Sequence, residues 1–437
     1  MKKFHIHTLG CKVNQYESDG IAISLEKQGW IKEKKNQKAD IFIINTCAVT
    51  SKASMQSRQA IRKIIRDNPD AKVIVTGCHA QTDPEQIKNI DQVDQVVCHK
   101  DKFQIANQII PIFKNKSPLT FKKADHSSGN TFHNFEYAVK GAMTRVYLKI
   151  QDGCNAFCSY CIVPYARGSS VSMPVKEVFR QLRKLNNSGF KEVIITGIHT
   201  GMYGLDLKEK TSLLGLLEKI NDEKPVYRIR LSSIEPGEIN DGIIDLARKG
   251  NILCDHFHIP LQSGDDNILK KMKRPYDAAL FEKVIHKIHK NIPTAGIGVD
   301  TLIGFPSETD GQFENTYQLI KKLPISYLHV FPFSARKGTP AFHFDNQVDS
   351  KVIKLRCARM RELGKIKQKE FVCAQLNKIQ EGIVQHKPDS KTGVLKATTS
   401  NYLTVFLNKK NNLGGKIINL IPEQFDSDMT ITGKIVE

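Results

Sequence analysis

The 437-residue chain carries 65 Lys and Arg against 45 Asp and Glu, a net +20 at neutral pH, and 40% of its residues are hydrophobic. This length exceeds one ordinary core and predicts two to four domains, while the charge favours an anionic partner such as nucleic acid over a neutral one. No apolar run approaches the ~20 residues of a membrane span, and MKKFHIHTLG enters a strand without the apolar centre of a signal peptide, so a cytoplasmic protein without membrane contact is expected.

To about residue 110, the short β-rich runs KFHIHTLGC, ADIFIINTC and AKVIVTGC alternate with segments of helical period, ESDGIAISLEKQGW and SKASMQSRQAIRKIIRDNP. This pattern predicts a doubly wound α/β domain over 1–111. Residues 112–140 lose periodicity, gather Ser, Asn, Lys and Gly, and read as a linker. A second series follows over 141–373, with apolar runs at RVYLKIQDGC, EVIITGIHTG, YRIRLSSIEP, HFHIPLQSG, GIGVDTLIGFP and YLHVFPFSAR. Six β/α units imply a partial parallel (β/α)6 barrel, with polar and glycine residues at the C-terminal strand ends where such folds bind ligands. KVIKLRCARMRELGKIKQKE, with eight Lys/Arg and two Glu over 351–370, reads as a helix that is either a solvated face or an RNA-facing one. The alternating segments of 374–437 predict a small all-β barrel.

Ten cysteines in a reducing compartment point to metal or redox chemistry. Cys154, Cys158 and Cys161 form C-x3-C-x2-C just after the first barrel strand. Three such thiolates can hold three irons of a [4Fe–4S] cluster and leave the fourth open to a small ligand. Structural zinc is the competing reading, but it needs a fourth protein ligand, and no C-x2-C or H-x3-H pair lies downstream. Cys11, Cys47 and Cys78 each follow the end of a predicted parallel strand, after LG, NT and TG. Neighbouring strands lie about 4.8 Å apart, so equivalent strand ends converge on one small site, and these thiols could share a second cluster. Cys98, Cys254, Cys357 and Cys373 lack this register and are assigned to packing.

The C-x3-C-x2-C motif at a barrel mouth resembles the radical S-adenosylmethionine superfamily. With GCKVNQYES, INTCAVT, VTGC, TGIHTG, HIPLQSG, IGFPSET and FSARKGTPA in order along the chain, the whole resembles the methylthiotransferase family. The resemblance implies a multi-domain α/β protein ending in a TRAM-type barrel, two [4Fe–4S] clusters, and two S-adenosylmethionine molecules per turnover. One molecule methylates sulfur at the cluster of Cys11, Cys47 and Cys78. The other, at the cluster of Cys154, Cys158 and Cys161, yields the radical that takes hydrogen from the target carbon. By the same resemblance Tyr160 lies near the adenine, Gly197 near the methionine moiety, and Ser233 and Gln262 complete the cofactor pocket.

It further implies a tRNA substrate, a reduced flavodoxin- or ferredoxin-type electron donor, a sulfur donor and a monomer. TLGCKVNQYES resembles the branch acting on carbon 2 of N(6)-threonylcarbamoyladenosine, just 3′ of the anticodon. Other branches act on isopentenyladenosine or on a ribosomal-protein aspartate. Val171 and Met173 stand where the family usually has arginines, Cys98 and His99 where it has Gly-Asn, and Phe333 where it has Tyr.

Overall fold

The structure, a computed structural model, describes every residue except 35–36, 108, 110–130, 136–142, 251, 391, 408–412 and 437. The N-terminal runs become β1 (Lys3–Thr8), β2 (Ile31–Lys32), β3 (Ile41–Thr46), β4 (Lys72–Gly77) and β5 (Gln95–Val96), paired in the order β2-β1-β3-β4-β5. All four pairings are parallel. β3 is buried along its whole length, as a central parallel strand covered on both faces should be. The two edge strands escape the sequence reading because each is two residues long.

Helices α1 (Lys12–Lys27), α2 (Ser51–Asp67), α3 (Cys78–Thr82) and α4 (Pro84–Lys88) connect the strands. Strand order reverses between β1 and β3, which places a ligand crevice at their C-terminal ends. Cys11 and Cys47 lie there.

β6 (Arg145–Lys149) leads into a short antiparallel ribbon of β7 (Gln151–Asp152) and β8 (Val171–Ser172). β9 (Glu192–Thr196), β10 (Arg228–Leu231), β11 (His256–Gln262), β12 (Gly296–Ile303) and β13 (Tyr327–Pro332) follow. β6, β9 and β10 pair in parallel, as do β11, β12 and β13, and the bridges Ile229–Leu253 and Ser233–His258 join the two sets. The six strands thus stand in sequence order as the expected partial barrel.

α1 packs beside β6, and one continuous core runs from Tyr16, Ile21 and Leu25 of α1 to Val146 and Leu148 of β6. Most of the expected linker lies outside the described residues. Its described part, 131–135, is packed: Phe135 is buried edge-on against Tyr16, and His133 stacks on Phe103 at 3.8 Å.

The basic stretch forms a 26-residue helix, Ser350–Gln375. Much of its charge is absorbed internally. Arg356 pairs with Glu308 at 2.8 Å, Arg359 pairs with Glu314 at 2.7 Å and lies 4.0 Å over the Tyr317 ring, and Lys367 pairs with Glu370 at 2.6 Å. These contacts favour the structural reading of the helix over the RNA-facing one.

β14 (Gln380–Val384), β15 (Leu395–Thr399), β16 (Thr404–Leu407), β17 (Ile417–Phe425) and β18 (Ile431–Val436) close a five-stranded barrel of TRAM-like form. It docks on the N-terminal ends of the large barrel's strands. Arg228 donates to the Thr398 carbonyl at 3.1 Å, and Arg230 donates to the carbonyls of Thr399 and Ser400 at 2.9 and 2.6 Å.

Both guanidiniums depend on fully buried Glu192, at 2.6 Å from Arg228 and 2.9 Å from Arg230. Burial alone raises the Glu192 pKa, but Arg230, Arg228 and Arg145 outweigh it and hold it at about 2. A depressed carboxylate pKa gives stability that is full above the unfolded-state value and is lost as pH falls toward the folded one. We therefore expect Glu192→Gln to cost about 3 kcal/mol at pH 7, as for one partner removed from a buried ion pair. The gap to wild type, measured by urea unfolding, should close between pH ~4 and about 2.

Candidate active site

The turn from β1 into α1 is made by Gly10, whose φ is +100°. A Cβ there would lie 2.9 Å from the Cys47 sulfur, so glycine permits the close approach of Cys11's loop to Cys47. Gly77, at φ +99°, does the same before Cys78, where a side chain would collide with the Thr46 backbone. The three cysteines are brought together as the register predicts: Cys47 feels both Cys78 and Cys11 electrostatically. Cys11 is exposed, while Cys47 and Cys78 are buried.

The barrel trio is equally convergent. Cys154, Cys158 and Cys161 occupy the loop after β7 and interact with one another. The helix Val163–Arg167 that follows packs against Cys78 through Ile162 and Ala166, so the elements carrying the two trios abut.

A cavity of about 410 Å³ lies at this junction. The three barrel cysteines, Tyr160 and Gln262 line it, with Val49 and Thr50 closing it from the N-terminal domain two and three residues past Cys47. Gln262 sits at a β-bulge with φ +65°. Gly197 and Ser233 are not in the wall, although Ile198 and His199 are. Gly197 instead leaves room for Gln151, whose side-chain carbonyl accepts from the Ile198 and His199 amides at 3.0 and 2.8 Å. The Ser233 hydroxyl lies 3.4 Å from His258 Nδ1, and its carbonyl accepts from Thr200.

Several residues at the site carry no sequence signal. Arg274 donates to the Cys158 sulfur at 3.2 Å and pairs with Glu235. It lies in a loop after a lysine-rich helix, where neither period nor motif marks it. His199 meets the Cys154 sulfur at 3.4 Å through Nδ1 and Glu238 at 2.6 Å through Nε2. Burial works to lower its pKa, yet these two partners raise it to about 10.

The donor sets fit iron–sulfur clusters. Burial pushes the Cys47 and Cys161 thiols up to about 11 and about 12 and also raises Cys78 and Cys158, so these sulfurs keep their protons until a metal replaces them. Arg274 and His199 beside one trio, and Arg167 and Lys102 near Cys78, supply the positive charge that an anionic metal–thiolate group requires. Of the remaining cysteines, Cys98, Cys254 and Cys357 are buried as expected, while Cys373 is exposed because its position falls on the outer face of the long helix.

The family departures are accommodated. Met173 is fully buried in the core and Val171 nearly so, leaving no place for arginine. Phe333 packs edge-on against Phe305 at 5.5 Å. His99 is held neutral, its pKa lowered to about 4 by burial and by Arg167 and Lys102.

Residues 3–98 match the Uncharacterized protein family UPF0004, and residues 148–320 match the Radical SAM superfamily. The chain is 37% identical over 416 residues to Threonylcarbamoyladenosine tRNA methylthiotransferase MtaB of Bacillus subtilis (strain 168), covering 95% of this chain and 92% of that protein. It is 31% identical to tRNA-2-methylthio-N(6)-dimethylallyladenosine synthase of Clostridium botulinum (strain Loch Maree / Type A3), covering 96% and 94%. The fold is similar to that of the radical S-adenosylmethionine methyltransferase TsrM of Kitasatospora setae, with a TM-score of 0.58 at 14% identity over 76% of this chain and 73% of that one. With such relatives aligned over nearly their whole length, this chain belongs to the radical S-adenosylmethionine methylthiotransferase family and is a sulfur-transferring enzyme of [4Fe–4S] and S-adenosylmethionine chemistry.

Proposed function

We propose that the protein methylthiolates carbon 2 of N(6)-threonylcarbamoyladenosine in tRNA, at the nucleotide just 3′ of the anticodon. In this reading Cys11, Cys47 and Cys78 hold one [4Fe–4S] cluster and Cys154, Cys158 and Cys161 the other. Tyr160 and Gln262 contact S-adenosylmethionine, while Gly197 and Ser233 shape the strand ends beside it. The observation that carries the reading is the abutment of the two cysteine trios across one closed cavity. When bound, the cofactors supply an organic radical able to break an unreactive C–H bond and a methyl group for sulfur.

The protein's own part is positioning and exclusion of water. Arg274 and His199 hold donors against the sulfurs of Cys158 and Cys154. Leu302, Phe331 and Phe333 give the wall its apolar area.

A tRNA partner is supported by α2. Ser51, at its first turn, bonds to Ser334 beside the cavity at 2.8 Å, and Lys52, Arg62 and Lys63 lie exposed along the helix with no ion pair among the described residues. Such cations suit phosphate contacts, and the TRAM-like barrel adds a second RNA-binding element. A cytoplasmic monomer served by a flavodoxin- or ferredoxin-type reductant and a separate sulfur donor completes the reading. The substrate branch rests on the resemblance of TLGCKVNQYES and on the activities named for the 34–37% identical relatives.

Anaerobically reconstituted wild type should carry about eight irons, and replacing either cysteine trio by alanine should leave about four. Colourless protein containing zinc alone overturns the reading. Deleting the gene and digesting total tRNA should abolish 2-methylthio-N(6)-threonylcarbamoyladenosine and accumulate its unthiolated precursor. Loss of the methylthio-isopentenyl nucleoside instead moves the substrate to that branch.

A further inference from the structure

Below the cavity the barrel interior is unusually polar. Alternate residues of β13 point inward as a column: Phe331 in the cavity wall, His329 beneath it, and Tyr327 beneath that, with ring centroids 6.3 and 5.3 Å apart. On β12, Leu302 and Asp300 also face the cavity, and Gly298 below them leaves the space that the Tyr327 ring occupies. Asp300 accepts from His258 at 2.7 Å and from His329 at 3.1 Å, so its carboxylate is fixed in place. The column ends on Tyr402 of the small barrel, against which Arg145 and Arg230 stack at 5.6 and 5.0 Å.

Lys12 enters this shaft from the N-terminal domain, directly after Cys11, and faces Arg145, Arg230 and Asp300. The neighbouring cations are committed elsewhere. Arg230 is spent on Glu192 and two carbonyls, and Arg145 approaches Glu192 at 3.5 Å. Among the described residues Lys12 makes no hydrogen bond or ion pair, although it is largely enclosed. A half-enclosed ammonium with cations on one side and no carboxylate bound to it lacks an anion.

We propose that this shaft receives the amino-acid arm of the substrate base, with Lys12 ion-pairing to the arm's carboxylate and Asp300 accepting from its hydroxyl. The inference rests on the threonylcarbamoyladenosine reading above and assigns its specificity: an arm of aliphatic carbon leaves Lys12 and Asp300 buried beneath it without partners, which disfavours the isopentenyl base.

The test uses the full chain reconstituted with its clusters and anticodon stem-loop RNAs carrying the threonylcarbamoyl base, its methyl ester, or the isopentenyl base. Wild type should bind the acid ~10-fold or more tightly than the ester, the range of a charge-assisted contact. Lys12→Gln should bind both alike, with ester affinity unchanged, and Lys12→Arg should restore part of the preference. If wild type does not separate acid from ester, or if Lys12→Gln keeps the wild-type ratio, the inference is overturned while the substrate reading stands. Methylthiolation by wild type of the isopentenyl RNA but not of the acid overturns the substrate reading itself. The ester comparison needs no variant, so a Lys12 substitution that disturbs Cys11 does not remove the test.

Discussion

Glu17 and Asp152 are charged and buried, which a protein interior tolerates only because Arg167, Lys149 and Lys102 surround them. Arg167 donates to Glu17 at 3.0 Å and to Asp152 at 2.8 Å, Lys149 lies 2.6 Å from Asp152, and Lys102 lies 2.6 Å from Glu17. Glu17 belongs to α1 and Lys102 to the N-terminal domain, whereas Asp152, Arg167 and Lys149 belong to the barrel. Neither domain can satisfy these groups alone, so separating them strands charge in low dielectric at a cost of several kcal/mol per ion. The relative placement of the two cysteine trios is therefore fixed electrostatically, and apolar area alone would leave it free to slide.

That network holds three cations against two carboxylates. His99, 3.5 Å from Asp152, does not change the balance because it stays neutral. The surplus charge faces Cys78, which feels both Arg167 and Lys102. An iron–thiolate group carrying net negative charge restores neutrality there. The ionic knot thus joins the domains and also prepares the interior for the group that the join creates a place for.

The fold was legible wherever period and strand-end chemistry coincide. The three N-terminal strands, the six barrel strands and the terminal β-barrel are all recovered, because parallel buried strands write continuous apolar runs. Two-residue strands such as β2 leave no such trace. The six cysteines were legible through spacing and register. Tyr160 and Gln262 reach the cavity as expected, whereas Gly197 and Ser233 act one step behind its wall. Arg274, His199 and the Glu17 knot were invisible because their partners lie 116, 45 and 150 residues away in sequence. Charge pairing across such distances has no period. The basic helix misleads for the same reason: a count of cations does not show which carboxylates fold back on them.

The segment KVNQYES is where these levels meet. Asn14 donates to the Leu9 and Thr46 carbonyls at 2.7 and 3.1 Å, tying the Cys11 turn to the strand that ends at Cys47, and accepts from Arg167 at 2.7 Å. Tyr16 donates to Asn134 and packs on Phe135, and Glu17 anchors the knot. These three residues lie on the buried side of α1, where the helical period places them together. Most of the motif is thus explained by assembly, and assembly of this kind serves any substrate equally well. Lys12 is different: it precedes the buried stripe, takes no part in the knot, and reaches into the barrel instead. A substrate signature in this stretch therefore has one side chain through which to act. The same helix then sets the cysteine, the domain joint and the charge offered to the base, so that misplacing any one of them displaces the others.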